Sequence, residues 1–208
     1  MLIDLRDPLP TRDYRCSLMS LPLAFKTRVD TIPAQVPYLH ADPHAQANWH
    51  RTLGHRTRTR IGPTWSGNAQ HVNDRNHSLP LHLIAPLLEL DQDYLALQTE
   101  VRPDDQATPD VFKQIRCLKL QDLADTTALV AELDLVIRVD TTAAHLTGAL
   151  GKSVWILLPY DPDFRWMLAR ADSPWYSTAR LFRQACLGDW QNVIMSARNA
   201  PKTGVFGR

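Results

Sequence analysis

Apolar positions along most of the chain follow two patterns, short continuous runs and stretches of helical spacing. Runs rich in β-branched residues predict strands, and apolar residues three or four positions apart predict helices. The predicted strands are 59–65, 94–98, 115–120, 135–139, 154–158 and 179–183, and the predicted helices are 78–88, 122–133, 142–150 and 189–197. Residues 99–112 are polar, contain two prolines and are predicted to form a loop.

This alternation of strands and helices predicts an α/β fold with a mostly parallel, Rossmann-like sheet covered by helices on both faces. The strands at 135–139 and 154–158 are almost entirely apolar, as expected for strands that are buried on both faces. In such sheets ligands bind beyond the carboxyl ends of the strands. The turns that follow the strands are therefore the first places to search for a functional site.

The first 57 residues have weak periodicity and many prolines, at positions 8, 10, 22, 33, 37 and 43. We predict a tail or linker here, with one short helix in which Asp42 caps the first turn, Pro43 follows and Leu53 lies near the end. Basic residues at 55–60 favour a solvated loop. The predicted division is 1–57 as linker, 58–198 as one domain and 199–208 as a tail.

Composition narrows the function classes. The chain has 208 residues, 44% of them apolar, and a net charge of +1, which favours neither nucleic acid nor an anionic membrane as a partner. Its three cysteines are far apart and form no CxxC pair, so neither a zinc site nor a disulfide framework is expected. No apolar run approaches the roughly 20 residues of a membrane span. We therefore expect a cytoplasmic protein.

The turn after the strand 135–139 has the chemistry of an anion site. Asp140, Thr141 and Thr142 open the next helix, whose N-terminus offers unpaired N–H groups and a partial positive charge. The threonine hydroxyls add donors, and His145 follows one turn later. The same residues also suit an ordinary helix cap beside an incidental histidine. Periodicity alone leaves the two interpretations open.

A second polar turn follows the first predicted strand, and Gln98 ends the next one. Glycine and asparagine suit a tight turn here, and its N–H groups and serine hydroxyl could bind a second anion. A surface loop with generic turn chemistry is the alternative. The candidate residues of this turn and the loop behind it are Ser66, Gly67, Asn68, His71, Asn73, Asp74 and Arg75.

The run 133–152, which contains the Asp140 turn, resembles the ADP-heptose:lipopolysaccharide heptosyltransferase-like family (glycosyltransferase family 9). Within that family it is most similar to the bacterial subset fused behind tetratricopeptide repeats. Further matching segments occur in order at 65–68, 71 with 73–75, 125–126, 155–159, 164–166, 172–176 and 181–184. The resemblance implies a GT-B architecture of two Rossmann-like domains. It also implies a nucleotide diphospho-sugar donor, held mainly by the C-terminal domain, with no metal or other cofactor.

The resemblance also implies roles for particular residues. Those of the Asp140 turn and His145 are implied to contact the donor diphosphate and sugar, with His145 a possible stabiliser of the leaving group. Ser66 and the residues around His71 are implied to form the opposing phosphate wall, and Gln98 to contact the nucleoside.

The chain departs from the family pattern at three positions near the site. Val72 stands where the family usually has lysine, and Arg75 is a possible replacement for that charge. Arg138 stands where the family has a small residue. Pro63 interrupts a strand in which an apolar residue is expected.

Length is a further departure, since a two-domain GT-B enzyme needs roughly twice this chain. Residues 1–57 are then expected to be a remnant of the N-terminal domain and the inter-domain linker. The expected function is donor binding for sugar transfer to a hydroxyl of an unidentified glycan or protein acceptor. An N-terminal GT-B domain or a repeat region is the expected partner. The alternative is a non-catalytic remnant that binds nucleotides or proteins, and a sugar-nucleotide epimerase would need an acid/base pair that the sequence does not place.

Overall fold

Two compact units make up the chain, the first ending at Pro33 and the second beginning at Ala34. The computed structural model describes residues 11, 13–70, 72–88, 91–98, 100–106 and 108–200. The first unit contains the short helix α1 (Leu21–Ala24) between two 3-10 turns, Leu18–Ser20 and Val29–Thr31. None of these three elements has a buried residue.

The second unit contains all six strands that the described residues form. The strands are β1 (Arg60–Thr64), β2 (Asp93–Ala96), β3 (Ile115–Cys117), β4 (Leu135–Val139), β5 (Ser153–Leu158) and β6 (Ala179–Arg183). The helices are α2 (Pro43–Leu53), α3 (Asp74–His77), α4 (Pro103–Gln106), α5 (Pro109–Phe112), α6 (Leu123–Ala131), α7 (Thr142–Ala149) and α8 (Trp190–Arg198), with 3-10 turns at Leu81–Leu87 and Phe164–Trp166.

The strands form one parallel sheet in the order β3-β2-β1-β4-β5-β6. Two hydrophobic clusters cover its faces. One contains Leu81 and Ile84 of the 3-10 turn together with residues of α8. The other contains Leu129 of α6 and Ala144 of α7. The predicted α/β fold, a Rossmann-like parallel sheet with helices on both faces, is therefore confirmed.

Side chains along β4 alternate between the two clusters, as the pleat of a strand requires. Leu135, Ile137 and Val139 belong to the cluster under α8, whereas Val136 belongs to the cluster under α6 and α7. All five residues of the strand are buried. Arg138 follows the parity of Val136, so its side chain leaves the sheet on the α6 and α7 face.

The predicted helix at 42–53 is confirmed as α2. The Asp42 carboxylate accepts a hydrogen bond from the Ala45 N–H at 2.8 Å, and Pro43 occupies the first turn. Trp49 Nε1 donates to Asp125 Oδ1 at 2.7 Å, which fastens α2 to α6. The second unit therefore includes α2. The division of the chain near residue 57 remains a prediction, and most of the predicted 199–208 tail, from 201 on, lies outside the described residues.

Three predicted elements were wrong in kind or extent. The helix predicted at 78–88 is a 3-10 turn over Leu81–Leu87, because Pro86 within it has no N–H for an α-helical bond. The loop predicted at 99–112 contains α4 and α5. The strand predicted at 115–120 ends at Cys117, and the residues after it are mostly exposed or half-buried.

Candidate functional site

The site lies where the winding of the sheet reverses. Strands β1 and β4 are neighbours in the sheet although their connections leave in opposite directions, and such a switch point forms a crevice beyond the carboxyl ends. The Ser66 turn follows β1 and the Asp140 turn follows β4. A Cβ atom built on Gly67 would lie 3.4 Å from Thr141 Cγ2. The structure therefore brings the two predicted turns together.

Helix α7 begins directly after the Asp140 turn, next to this crevice region. Thr141 is the N-cap residue, but its side chain makes no capping hydrogen bond to the helix. Its Oγ1 instead accepts from Nη2 of Arg138. Thr142 is exposed and Asp140 is half-buried. The first turn of an eight-residue helix is thus left without a side-chain cap, as an anion-binding terminus requires.

Arg138 is the most unusual residue of the site. Only 4% of its surface is exposed, and its Nη1 atom is buried without a hydrogen-bond partner. Burial lowers the pKa of the guanidinium to about 9, and the nearby Asp140 carboxylate opposes that shift. The group therefore stays charged at neutral pH. The sequence showed Arg138 only as a departure from the family pattern.

His145 is held between two aromatic side chains. Its ring stacks on Trp166 with centroids 4.9 Å apart and planes 15° apart, and its Nδ1 lies 3.1 Å from Tyr176 Oη. Burial lowers the pKa of His145, and the Asp140 carboxylate acts against that effect. Burial and a hydrogen bond with Tyr38 raise the pKa of Tyr176. The Tyr176 hydroxyl can donate to Nδ1 or accept from it, so a neutral imidazole carries its proton on Nε2 in the first case and on Nδ1 in the second.

Ser66 and Gln98 join the ends of β1 and β2. The Ser66 N–H donates to Gln98 Oε1 at 3.2 Å, and Gln98 Nε2 donates to Ser66 Oγ at 2.9 Å. The same Nε2 also donates to the carbonyl of Glu100 at 3.0 Å. Both side chains are buried, at 3% and 6% exposure. The two predicted site residues are therefore adjacent and hold the wall of the crevice in place.

A second network fixes Gly67 and includes a residue that the sequence did not indicate. Arg102 pairs with Asp74 at 2.8 Å and also donates to the Gly67 carbonyl at 3.2 Å. Ser78 Oγ donates to Asp74 Oδ1 at 2.6 Å and accepts from the Gly67 N–H at 3.0 Å. Arg102 was missed because it lies in the segment predicted as a plain loop, although that segment follows β2 at the same sheet edge.

The remaining residues of the Ser66 turn make local contacts or face solvent. Asn68 Oδ1 accepts from the Gln70 N–H at 2.9 Å, which closes a tight turn. Asn73 Oδ1 accepts from Asn76 Nδ2 at 2.6 Å. Arg75 is exposed. His71 lies outside the described residues.

In the part of the chain that the structure describes, no cluster of three or more histidine, cysteine, aspartate or glutamate residues has an arrangement fit to hold a metal ion. Nor does any helix in that part have the length and apolar character needed to cross a membrane.

Among known proteins, the chain is similar in sequence to one protein and in fold to two solved glycosyltransferase structures. No family model matches the chain. The protein FlbA of Caulobacter vibrioides is 24% identical over 190 residues, which are 88% of this chain and 32% of FlbA. The structure of E. coli ADP-heptose LPS heptosyltransferase II is similar with a TM-score of 0.53 and 17% identity, over 81% of this chain and 55% of that one. A glycosyltransferase family 9 structure from Veillonella parvula is similar with a TM-score of 0.51 and 13% identity, over 80% and 48%.

The chain therefore spans about a third of FlbA and about half of each of the two solved structures. At these identities the likeness shows a shared fold. The six-stranded parallel sheet is the Rossmann-like sheet of glycosyltransferase structures, and the candidate site lies at the edge where that kind of sheet binds ligands.

Proposed function

We propose that this chain is the donor-binding part of a GT-B glycosyltransferase of the heptosyltransferase-like family. The observation that supports this most is the meeting of two polar turns, around Gly67 and Thr141, at the switch point of the sheet. Two structural neighbours, one named as a heptosyltransferase and one as a family 9 glycosyltransferase, share this sheet, which extends the sequence resemblance to the fold. Membership of the subset fused to tetratricopeptide repeats rests on the sequence resemblance.

The chemistry of the site suits a nucleotide diphospho-sugar. The free N–H groups at the start of α7 and the hydroxyl of Thr142 are donors for diphosphate oxygens. A neutral His145 that donates from Nε2 would stabilise charge on the leaving diphosphate as the glycosidic bond breaks. Asp140 can accept from a sugar hydroxyl. No metal is required in this scheme, because the helix terminus and neighbouring donors take the place of a cation.

The complete reaction in this proposal is sugar transfer to an acceptor hydroxyl, with inversion at the anomeric carbon. In this proposal the acceptor surface and the catalytic base belong to a further GT-B domain, as the family resemblance implies. The partner is that domain or a repeat region, and the acceptor is a glycan or a protein. The setting that we propose is the cytoplasm.

Calorimetry with the purified chain tests the donor site. We expect ADP or UDP, and the corresponding nucleotide-sugars, to bind, and adenosine or uridine to bind far more weakly because they have no phosphate. Gly67→Val, which adds a side chain beside Thr141, should weaken binding by about tenfold, or 1.4 kcal/mol. Thr127→Val at a half-buried position of α6 serves as control. Absence of heat with every nucleotide at millimolar concentration would contradict the proposal.

A non-catalytic nucleotide-binding or protein-interaction module is the second candidate. One observation favours it: the Val72 side chain is fully exposed where the family resemblance leads us to expect a lysine. Incubation of the pure chain with a nucleotide-sugar and a panel of acceptors separates the two. Multiple turnovers would exclude the module, whereas binding without turnover, restored by an added N-terminal domain, would support the donor-domain proposal.

A further inference from the structure

We propose that Arg138 is a phosphate-binding residue of this chain, which contacts the donor diphosphate through Nη1 together with Thr64 Oγ1. The inference rests on the proposed function and deepens it, because it identifies a cation for a diphosphate site whose expected lysine is replaced by Val72. It comes from the position of two buried polar atoms that have no partner, at the point where the sheet changes its winding direction.

Thr64 and Arg138 are neighbours in the sheet. They are paired in the register of β1 and β4, near the carboxyl end of each strand. Residues paired in a parallel register point to the same face, so both side chains leave the sheet towards α6 and α7. Ile156, the partner of Arg138 on β5, belongs to the cluster on that face.

Both side chains end in a buried atom without a partner. Thr64 is 5% exposed and Arg138 is 4% exposed, and neither Thr64 Oγ1 nor Arg138 Nη1 makes a hydrogen bond. Such groups are rare in folded proteins, because an unpaired buried donor loses its bonds to water without replacement. Two of them side by side at the carboxyl edge indicate a place for a polar ligand.

The charges around Arg138 indicate the sign of that ligand. Its Nη2 donates to Thr141 Oγ1, so the guanidinium lies against the N-terminus of α7, which is itself positive. No carboxylate of the described residues lies within 4.0 Å of it in an ion pair, although Asp140 is near enough to act on its charge. Two positive groups that meet in a buried place are stable together when an anion lies between them.

Arg138 fits this role better than Arg75 does. Arg75 is exposed, and an exposed charge is screened by water and salt. A buried guanidinium has a fork of donors that matches phosphate oxygens, and its charge acts through a lower dielectric. Since Nη1 and Thr64 Oγ1 are both covered in the free chain, we expect the Arg138 side chain to rotate on binding so that Nη1 reaches the phosphate beside Thr64.

Calorimetric titration with ADP and with inorganic pyrophosphate tests the proposal on four forms of the full chain. These are the unsubstituted protein, Arg138→Met, Arg138→Lys and Arg116→Met, the last a matched change at an exposed position of the edge strand β3. We expect Arg138→Met to weaken both ligands by about ten- to a hundredfold, since a charge-assisted phosphate contact is lost. Arg138→Lys should retain part of the affinity, and Arg116→Met all of it.

The outcomes separate this inference from the proposed function. If the unsubstituted chain binds neither ligand, both proposals are overturned. If it binds and Arg138→Met binds equally tightly, only the role of Arg138 is overturned. Circular dichroism and thermal unfolding check each variant. If Arg138→Met does not fold, Arg138→Lys decides, because unchanged affinity in that variant would rule out a contact that needs the guanidinium fork. A merely structural arginine would change the unfolding temperature of the free chain but not its increase with pyrophosphate.

Discussion

One arginine is buried at the edge formed by the amino ends of the strands, and another at the edge formed by their carboxyl ends. The two differ in the partners of the guanidinium group. Arg60 begins β1 at the amino edge and is 3% exposed, and Arg138 near the end of β4 is 4% exposed. Arg60 donates to the Gly54 carbonyl at 2.7 Å, and its Nη1 lies 3.6 Å from a carboxylate oxygen of Glu132. The Glu132 carboxylate, directly after α6, therefore balances the charge of Arg60. Arg138 makes no ion pair within 4.0 Å among the described residues and keeps one nitrogen unpaired, with Asp140 acting on it only at longer range.

The same difference extends along both edges. At the amino edge Asp134 accepts from the Arg60 N–H at 2.8 Å and also pairs with Arg56. Most unpaired buried polar atoms of the described residues instead belong to residues at or beyond the carboxyl ends of strands, with Thr178 as the exception; they are on Thr64, Trp65, Arg138, Trp166 and Gln184. Buried polar groups are normally satisfied, so this difference supports the proposal that the carboxyl edge binds a ligand.

The largest loss of stability should come from removing the ion pair between Arg60 and Glu132 at the amino edge. Glu132→Gln removes the carboxylate beside buried Arg60 and should lower the free energy of unfolding by about 2–3 kcal/mol, because the arginine charge loses its partner. Asp91→Asn, which neutralises one partner of the exposed Arg58 pair, should change it by less than about 0.5 kcal/mol. Urea unfolding of both variants checks this. If both variants lost the same free energy of unfolding, burial of the Arg60–Glu132 pair would not make it more stabilising than the exposed pair.

The contribution of Glu132 to the free energy of unfolding should also decrease as the pH falls. Burial alone would raise the pKa of Glu132, but hydrogen bonds from Gln46 and His50 and the charges of His50 and Arg60 outweigh it and lower the pKa. The stabilisation is therefore complete above the ordinary glutamate pKa of about 4.3 and is lost as the pH falls through the lowered value. The difference between the unsubstituted chain and Glu132→Gln should shrink below pH 4.

A smaller effect is expected from Gly148→Ala near the end of α7, where the helix packs against Tyr176. A Cβ atom there would lie 2.4 Å from Tyr176 Cγ, so the ring must move and its contact with His145 is disturbed. We expect a loss of about 1–3 kcal/mol in stability, and weaker ADP binding as well. In a Tyr176→Ala background the same substitution should cost little, as a double-mutant cycle would measure. An unchanged cost in that background would show that the ring is not the cause.

Arg138→Met should change the free energy of unfolding less than Glu132→Gln or Gly148→Ala does, and the sign of the change completes the comparison. Replacing an unpaired buried charge with an apolar side chain of similar length should leave the free energy of unfolding within about 1 kcal/mol, or raise it. Urea unfolding of Arg138→Met and Glu132→Gln under the same conditions compares the contributions of the two arginine sites to the free energy of unfolding. A loss as large as that of Glu132→Gln would show that Arg138 is a structural residue like Arg60.

Local patterns were enough to predict much of the fold. The strands β4 and β6 and the helix α8 agree with their predicted positions to within about a residue. The end of α7 agrees as well, because Gly151 adopts a φ of +67° that suits the residue after a helix. The position of the Ser66 and Asp140 turns at one edge also followed from sequence, since every strand of a parallel sheet ends on the same side.

What only the tertiary structure decided are the partners of the site residues. Gln98 binds Ser66 across 32 positions, Tyr176 reaches His145 across 31, and Arg102 reaches Asp74 across 28. The sequence marked Arg138 by its residue type, but its unpaired nitrogen beside Thr64 depends on the register of β1 and β4. Hydrophobic periodicity specifies which face of an element is buried, whereas contacts between distant side chains are set by how the elements pack.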